Sequence, residues 1–313
     1  MSGLHPTKIQ WATHSVNPVF AVNRETGKRG WACTKIATGC QHCYAEALNR
    51  DRFGTGLPYD VRSESLVDWR LDEGALQSVL SRRKPATIFW CDMTDLFHER
   101  VPDGWIDQCF AVMALTTHLR HIVLTKRAER MRTYRPQTDT AAIWYHAGAW
   151  PLPNVALGVS VSNQDDADSL IPHLLSTPAA LRFVSYEPAT GPVDWTATGH
   201  STYSHWDRPV LSQASGDACW LDDADNPIDA IIIGGESGRD ARPFDVAWAR
   251  NTVAQCRAAG VVAMVKQLGA NVTGLPWVTV RRRGTNHRGD SAEWPDDLQP
   301  YAASVDRWPW GAS

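Results

Sequence analysis

Short apolar runs recur through the middle of the chain, each leading into a polar loop and then an amphipathic stretch. The runs are 86–91 (ATIFWC), 121–125 (HIVLT), 154–161 (NVALGVSV), 181–185 (LRFVS), 228–233 (IDAIII) and 261–267 (VVAMVKQ). Strands that are apolar on both faces need cover on both sides, and a parallel sheet flanked by helices supplies it. Helices are expected over 103–117, with Ile106, Phe110, Met113 and Ala114 on one face, and over 126–134, 162–175 and 246–259. Gly260 is placed to cap the last of these. A further strand over 15–22 brings the strand count to about seven. No G-x-G-x-x-G follows an early strand, which weighs against a dinucleotide-binding sheet. The expectation is α/β: a parallel β/α barrel, complete or partial and TIM-like. It would occupy 1–270, with a polar, turn-rich insertion at about 192–227. Residues 271–313 would form a C-terminal hairpin and extension packed on the barrel, carrying Arg281, Arg282, Arg283 and Arg288 and the tryptophans Trp294, Trp308 and Trp310.

The chemistry concentrates in the segment WACTKIATGCQHCYAEALNRD, where Cys33, Cys40 and Cys43 read C-x6-C-x2-C. Thiolates are soft ligands that select zinc or iron–sulfur clusters. Three of them can hold a [4Fe–4S] cluster and leave one iron open, whereas structural zinc usually takes four ligands. His42 or a distant residue could complete a zinc site, so both metals stay open at this point. Cys91, Cys109, Cys219 and Cys256 are scattered and read as buried small apolar groups.

Composition narrows the function classes. The net charge of −3 among 313 residues gives no broad basic footprint for duplex nucleic acid. No apolar run is long enough for a membrane span, and MSGLHPTKIQ lacks the apolar core of a secretory signal. A cytoplasmic, reducing location is expected, where spaced cysteines bind metal or do chemistry more often than they pair.

Polar residues stand at every expected strand end, where the active sites of barrels sit. Asp92 and Asp95 follow ATIFWC, and Lys126 and Arg127 follow HIVLT. Ser160, Ser162 and Asn163 close NVALGVSV, and Glu187 follows LRFVS. Gly234, Gly235 and Glu236 follow IDAIII, and Lys266 and Gln267 end the last run. Asp92, Ser162 and Asn163 are also plausible helix caps. Lys126 and Arg127 suit a carboxylate or phosphate.

The cysteine spacing, with the ring of His42 just before the last cysteine, resembles a widened radical SAM motif, whose usual form is C-x3-C-x2-C. The wider chain resembles the phage Gp37/Gp68-like family, also called DUF5131 or the three-Cys-motif family. The resemblance rests on Asn17 and Pro18, the cysteine segment, DMTDLFHE at 92–99, LTKRAERM at 124–131 and GVSVSNQ at 158–164. It continues through RFVSYEPATGP at 182–192, GGESGRDARP at 234–243, VKQLG at 265–269 and AEWPDDLQ at 292–299. It implies a radical-SAM-like barrel in which Cys33, Cys40 and Cys43 hold a [4Fe–4S] cluster whose open iron chelates S-adenosylmethionine. Reductive cleavage of that cofactor would start radical chemistry on an unknown substrate, with a nucleobase or nucleotide as one class. A reductant protein would be a partner.

Under the same resemblance His42, Ser160, Gly234, Gly235 and Glu236 become candidate cofactor contacts. Glu236 stands in a Gly-Gly-Glu segment of the type that holds the methionine amino group, though late in the chain. Asp92, Asp95, Lys126 and Glu187 become candidate catalytic groups. Two other classes remain at this stage: a β/α-barrel hydrolase using Glu187 and Glu236 as its carboxylate pair, and a noncatalytic nucleic-acid-binding protein with a metal or cluster knuckle.

Overall fold

The computed structural model describes residues 3–135, 150–196, 228–275 and 290–310. Thirteen strands occur among them. The first five are β1 (His5–Pro6), β2 (His14–Val16), β3 (Val19–Asn23), β4 (Arg29–Gly30) and β5 (Val67–Leu71). Next come β6 (Thr87–Trp90), β7 (Arg120–Thr125), β8 (Val155–Val161) and β9 (Leu181–Tyr186). The last are β10 (Ala230–Gly234), β11 (Phe244–Asp245), β12 (Val262–Gln267) and β13 (Val272–Thr273). The helices are α1 (Tyr44–Leu48), α2 (Val61–Glu64), α3 (Glu73–Leu80), α4 (Asp103–Leu115), α5 (Ala128–Thr133), α6 (Gln164–Leu175) and α7 (Val246–Ala259).

One eight-stranded sheet dominates, in the order β1-β2-β6-β7-β8-β9-β10-β12. Every neighbouring pair from β2 to β12 is parallel, and β1 adds an antiparallel edge. The architecture is therefore α/β with a large, mostly parallel sheet. Among the described residues no ladder joins β1 to β12, so the closure of a complete barrel is not observed.

Both faces of the sheet are buried, as the apolar runs require. Side chains alternate across a strand. Ile88, Trp90, Val123, Val159, Val184, Ile231 and Val265 share one core with residues of α3 to α7. The intervening Phe89, Ile122, Ala156, Phe183, Ile232 and Met264 form a second core, closed by Trp11 and Trp308 from the two ends of the chain. Trp308 lies 5.0 Å from the Phe183 ring and donates its indole N–H to Trp11 O at 2.8 Å. Gly158 leaves room for this packing, since a Cβ there would sit 2.4 Å from the Phe183 ring.

Most elements fall where the patterning places them, and Gly260 closes α7 at φ +73°. Asn163 caps α6 by accepting from Asp166 N at 2.9 Å, and the Asp166 carboxylate accepts from Ser162 N at 2.9 Å. The expected strand over 15–22 is a correction. It breaks at Asn17 and Pro18 into β2, in the main sheet, and β3, which pairs with β4 and β5 in a separate antiparallel sheet. Proline has no N–H for a ladder, and the Asn17 side chain turns instead to Asp92 and to Met93 N. The cysteine loop thus leaves the small sheet after β4, not the first parallel strand. Most of the expected insertion (197–227, with Cys219) and the arginine run at 281–288 lie outside the described residues.

Candidate functional site

The cysteine loop lies across the C-terminal ends of the parallel strands and is fastened along its length. Near its start, Thr94 Oγ1 donates to Ala32 O at 2.6 Å. Arg127, buried just past β7, donates from Nη2 to Thr34 Oγ1 at 2.7 Å and from Nη1 to Cys33 Sγ at 3.8 Å. At mid-loop Gly39 lies on the end of β8, and a Cβ there would stand 2.3 Å from Ser162 Oγ. Further along, Arg242 Nη1 donates to Thr38 O at 2.9 Å and to Gln41 Oε1 at 3.3 Å. At the far end the Tyr44 hydroxyl donates to Asp92 O at 2.6 Å.

Each candidate residue has a definite place in this arrangement. Asp95 is a buried acceptor for Thr125 Oγ1 at 2.7 Å, Phe97 N at 2.9 Å, Lys126 N at 3.1 Å and Arg127 Nη1 at 3.2 Å. It builds the end of β7 and aims Arg127 at the cysteines. Asp92 accepts from the Asn17 amide, and burial raises its carboxyl above the usual range against that bond. The preceding residue, Cys91, has φ +59°, a left-handed conformation costing about 1–2 kcal/mol in a non-glycine residue.

Lys126, Ser160, Glu187, Gly234 and Gly235 come together. Lys126 Nζ donates to Ser160 Oγ, which donates to Glu187 O at 3.2 Å. The Glu187 carboxylate accepts from Lys266 Nζ at 2.7 Å and Gln267 Nε2 at 2.8 Å. It lies across Gly234, where a Cβ would come within 2.9 Å of its carboxyl carbon. Gln267 Nε2 also donates to Gly235 O at 3.0 Å.

Glu236 and His42 meet on the other side of the loop. His42 Nδ1 donates to Glu236 Oε2 at 3.0 Å, and Arg242 grips the same carboxylate through Nη2 at 2.7 Å, Nε at 3.1 Å and its backbone N–H at 2.8 Å. Burial alone would raise the Glu236 carboxyl, but these donors hold it below the usual carboxylate range. Both carboxylates of the pair expected for a hydrolase, Glu187 and Glu236, thus have cationic partners.

The three thiols lie within one another's field. Burial pushes Cys33 up to about 12, against the pull of Arg127, and the charges of Cys43 and Cys40 raise it further. Burial also raises Cys43, opposed by the backbone N–H groups of Glu46 and Ala45 at the start of α1 and by Lys126. Among the described residues no three His, Cys, Asp or Glu side chains converge as ligands of a single metal ion. A [4Fe–4S] cube spreads its ligands over separate irons.

The surroundings fit such an anionic cube. Lys126 has no carboxylate partner among the described residues. Ser162 Oγ is buried without a hydrogen-bond partner in the described structure, directly beneath Gly39. One arginine N–H already points at a cysteine sulfur. A positive charge and a spare donor around soft ligands suit a cluster whose thiolates make it net negative.

Sequence reading overlooked three contributors. Tyr44 is half exposed, but its hydroxyl turns inward to Asp92 O, where desolvation and the charges of Asp92, Cys43 and Glu187 raise its phenol above the ordinary value. Its position directly after the third cysteine was the available signal. Gly39 is a glycine within the cysteine spacing. Arg242, in the loop GGESGRDARP, had no periodic signal at all.

No described helix is long and apolar enough to cross a membrane. Neither curated proteins nor solved structures gave a match to the chain. Residues 6–295 match the family described as "Protein of unknown function (DUF5131)". That match covers nearly all of the chain, including the cysteine loop and every strand end discussed above, so the protein belongs to the DUF5131 family.

Proposed function

We propose that the protein is a radical SAM-type iron–sulfur enzyme, with a [4Fe–4S] cluster on Cys33, Cys40 and Cys43, acting on an unidentified substrate. The observation that carries this reading is the seating of three mutually interacting thiols over the C-terminal ends of a parallel sheet, beside Lys126, which has no carboxylate partner among the described residues. The sheet is read here as a partial barrel. Its parallel strands follow chain order without reversal, and its second face is filled by side chains rather than by helices.

When bound, the cluster with S-adenosylmethionine would supply a reactive carbon radical for hydrogen abstraction. The chain's own residues would bind and orient. Lys126 offers a cation for a carboxylate or phosphate, with Ser160 holding its ammonium. Glu187, fixed by Lys266 and Gln267, holds its carboxylate across Gly234, whose missing Cβ leaves room for it. His42, Glu236 and Arg242 hold the second half of the cysteine loop in place. Tyr44 and Asp92 close the side nearest β2 and β6.

The test is anaerobic purification with iron and sulfide analysis, then EPR of the reduced protein with and without S-adenosylmethionine. The reading expects about four irons per chain, a signal that changes when S-adenosylmethionine is added, and loss of that signal in Cys40→Ala. Zinc alone, or a cluster indifferent to S-adenosylmethionine, would overturn it.

A further inference from the structure

Arg127 has five N–H donors in a rigid fork, and all of them are directed. Nε donates to Glu99 Oε1 at 3.0 Å and Oε2 at 2.9 Å. Nη2 donates to Thr34 Oγ1 at 2.7 Å and Thr34 O at 3.4 Å. Nη1 donates to Asp95 Oδ2 at 3.2 Å and to Cys33 Sγ at 3.8 Å. Every acceptor but one is an oxygen. A neutral thiol is a weak acceptor, so a buried guanidinium aimed at one is poorly matched in a metal-free site. A metal-bound thiolate accepts a charge-assisted hydrogen bond instead. Thr125 Oγ1 fixes the Arg127 backbone N–H at 2.8 Å, and Asp95 in turn accepts from that same hydroxyl. The aim at Cys33 is therefore built into the end of β7.

We propose that Arg127 is a positioning residue that donates to the Cys33 sulfur and thereby favours the reduced state of the cluster. The proposal rests on the iron–sulfur reading given above. Hydrogen bonds to the ligand sulfurs are among the features that set cluster potentials. Reduction adds negative charge to the sulfurs, so a donor held against one stabilises the reduced form more than the oxidised form. The buried Asp95 carboxylate on the same guanidinium offsets its charge at a distance, and the solvent-screened Glu99 adds little, which leaves the directed N–H as the main influence.

The experiment is an EPR-monitored redox titration of the anaerobically reconstituted full-length protein. Wild type is compared with Arg127→Lys, Arg127→Gln, Glu99→Gln and the pair Asp95→Asn and Asp95→Asn/Arg127→Gln. Loss of a hydrogen bond to a charged group changes the reduction equilibrium roughly tenfold, or about 59 mV for one electron. Both Arg127 variants are expected to shift downward by that amount. Glu99→Gln, whose carboxylate is largely in solvent, is expected to leave the midpoint in place. If Arg127→Gln does not fold with Asp95 left unpaired, the double variant against Asp95→Asn carries the test, because both lack the buried carboxylate. Iron-loaded Arg127 variants with the wild-type midpoint would overturn the proposal. Wild-type protein without iron and sulfide would overturn the iron–sulfur reading itself, and this proposal with it.

Discussion

Replacing Gly39 with alanine tests the seating of the cysteine loop on β8. A Cβ at that position would lie 2.3 Å from Ser162 Oγ, and ordinary contact begins at 3.4 Å, so something must move by about 1.1 Å. The neighbours give little. Ser162 is fully buried with its N–H bonded to Asp166, and the remaining close atoms belong to the Pro188 ring, at 3.4 Å, and Lys126, at 3.5 Å. The loop carrying Cys40 must therefore lift. Overpacking of this kind costs about 1–3 kcal/mol, and the reduced freedom of the unfolded alanine chain returns roughly 0.4–1 kcal/mol. The net loss is about 1–2 kcal/mol. Ser162→Ala removes only the offending oxygen, which has no partner among the described residues, and should be close to neutral alone. In the double variant the clash disappears, which predicts a coupling energy of at least about 1 kcal/mol. The assay is urea unfolding of the four metal-free proteins by tryptophan fluorescence, with iron per chain measured after anaerobic reconstitution. Gly39→Ala should be less stable and poorly loaded, and the double variant should recover both. Additive losses, with the double no better than Gly39→Ala alone, would refute the seating of the loop.

Burial holds the fully enclosed His121 imidazole down to about 3, against 6.5 for the ordinary side chain. Between those values only the unfolded chain takes up the proton, so stability present above pH 6.5 is lost as pH falls. The loss amounts to about 2 kcal/mol between pH 7 and pH 5. His121→Asn, which keeps an acceptor for Trp90 Nε1, should show that much less pH dependence in urea midpoints at the two pH values, and equal dependence would contradict the assignment. Trp308→Ala should cost about 3–5 kcal/mol by opening a cavity against Trp11 and Phe183. A urea midpoint close to wild type would mean that the C-terminal tail does not close the second core.

The strands and helices were legible because their physical signal is local. A short run apolar on both faces and rich in β-branched residues reads as a covered strand, and a gap of polar residues marks where it ends. Strand ends were therefore legible too, and with them the neighbourhood of the candidate site. The failure at 15–22 has an equally local cause. The apolar pattern continues through Asn17 and Pro18, but the missing proline N–H ends the ladder, and the chain resumes in another sheet. Partnerships were not legible, because the topology sets them. Arg127 meets Cys33 across 94 positions of the chain, and His42 meets Glu236 across 194.

Lys126 and Arg127 show where reading by position reaches its end. Adjacent in sequence and alike in charge, they read as one pair of anion contacts. Successive residues leaving a strand point to opposite sides, and these two separate accordingly. Lys126 goes to Ser160, on the side of the sheet filled by the chain ends, and keeps an ammonium without a carboxylate partner among the described residues. Arg127 goes to Asp95, Glu99 and the start of the cysteine loop. One cation is thus available to a ligand, while the other is bound into the wall that holds the cysteines. Arg242 does for the second half of the loop what Arg127 does for the first: its charge is matched by a buried carboxylate, and its remaining donors are directed at the loop. A loop needed only for packing could be held by apolar contacts alone. Two arginine–carboxylate anchors, one on each half of the loop that carries the C-x6-C-x2-C spacing, fix the direction in which the cysteines are presented, and direction matters most where the sulfurs are ligands.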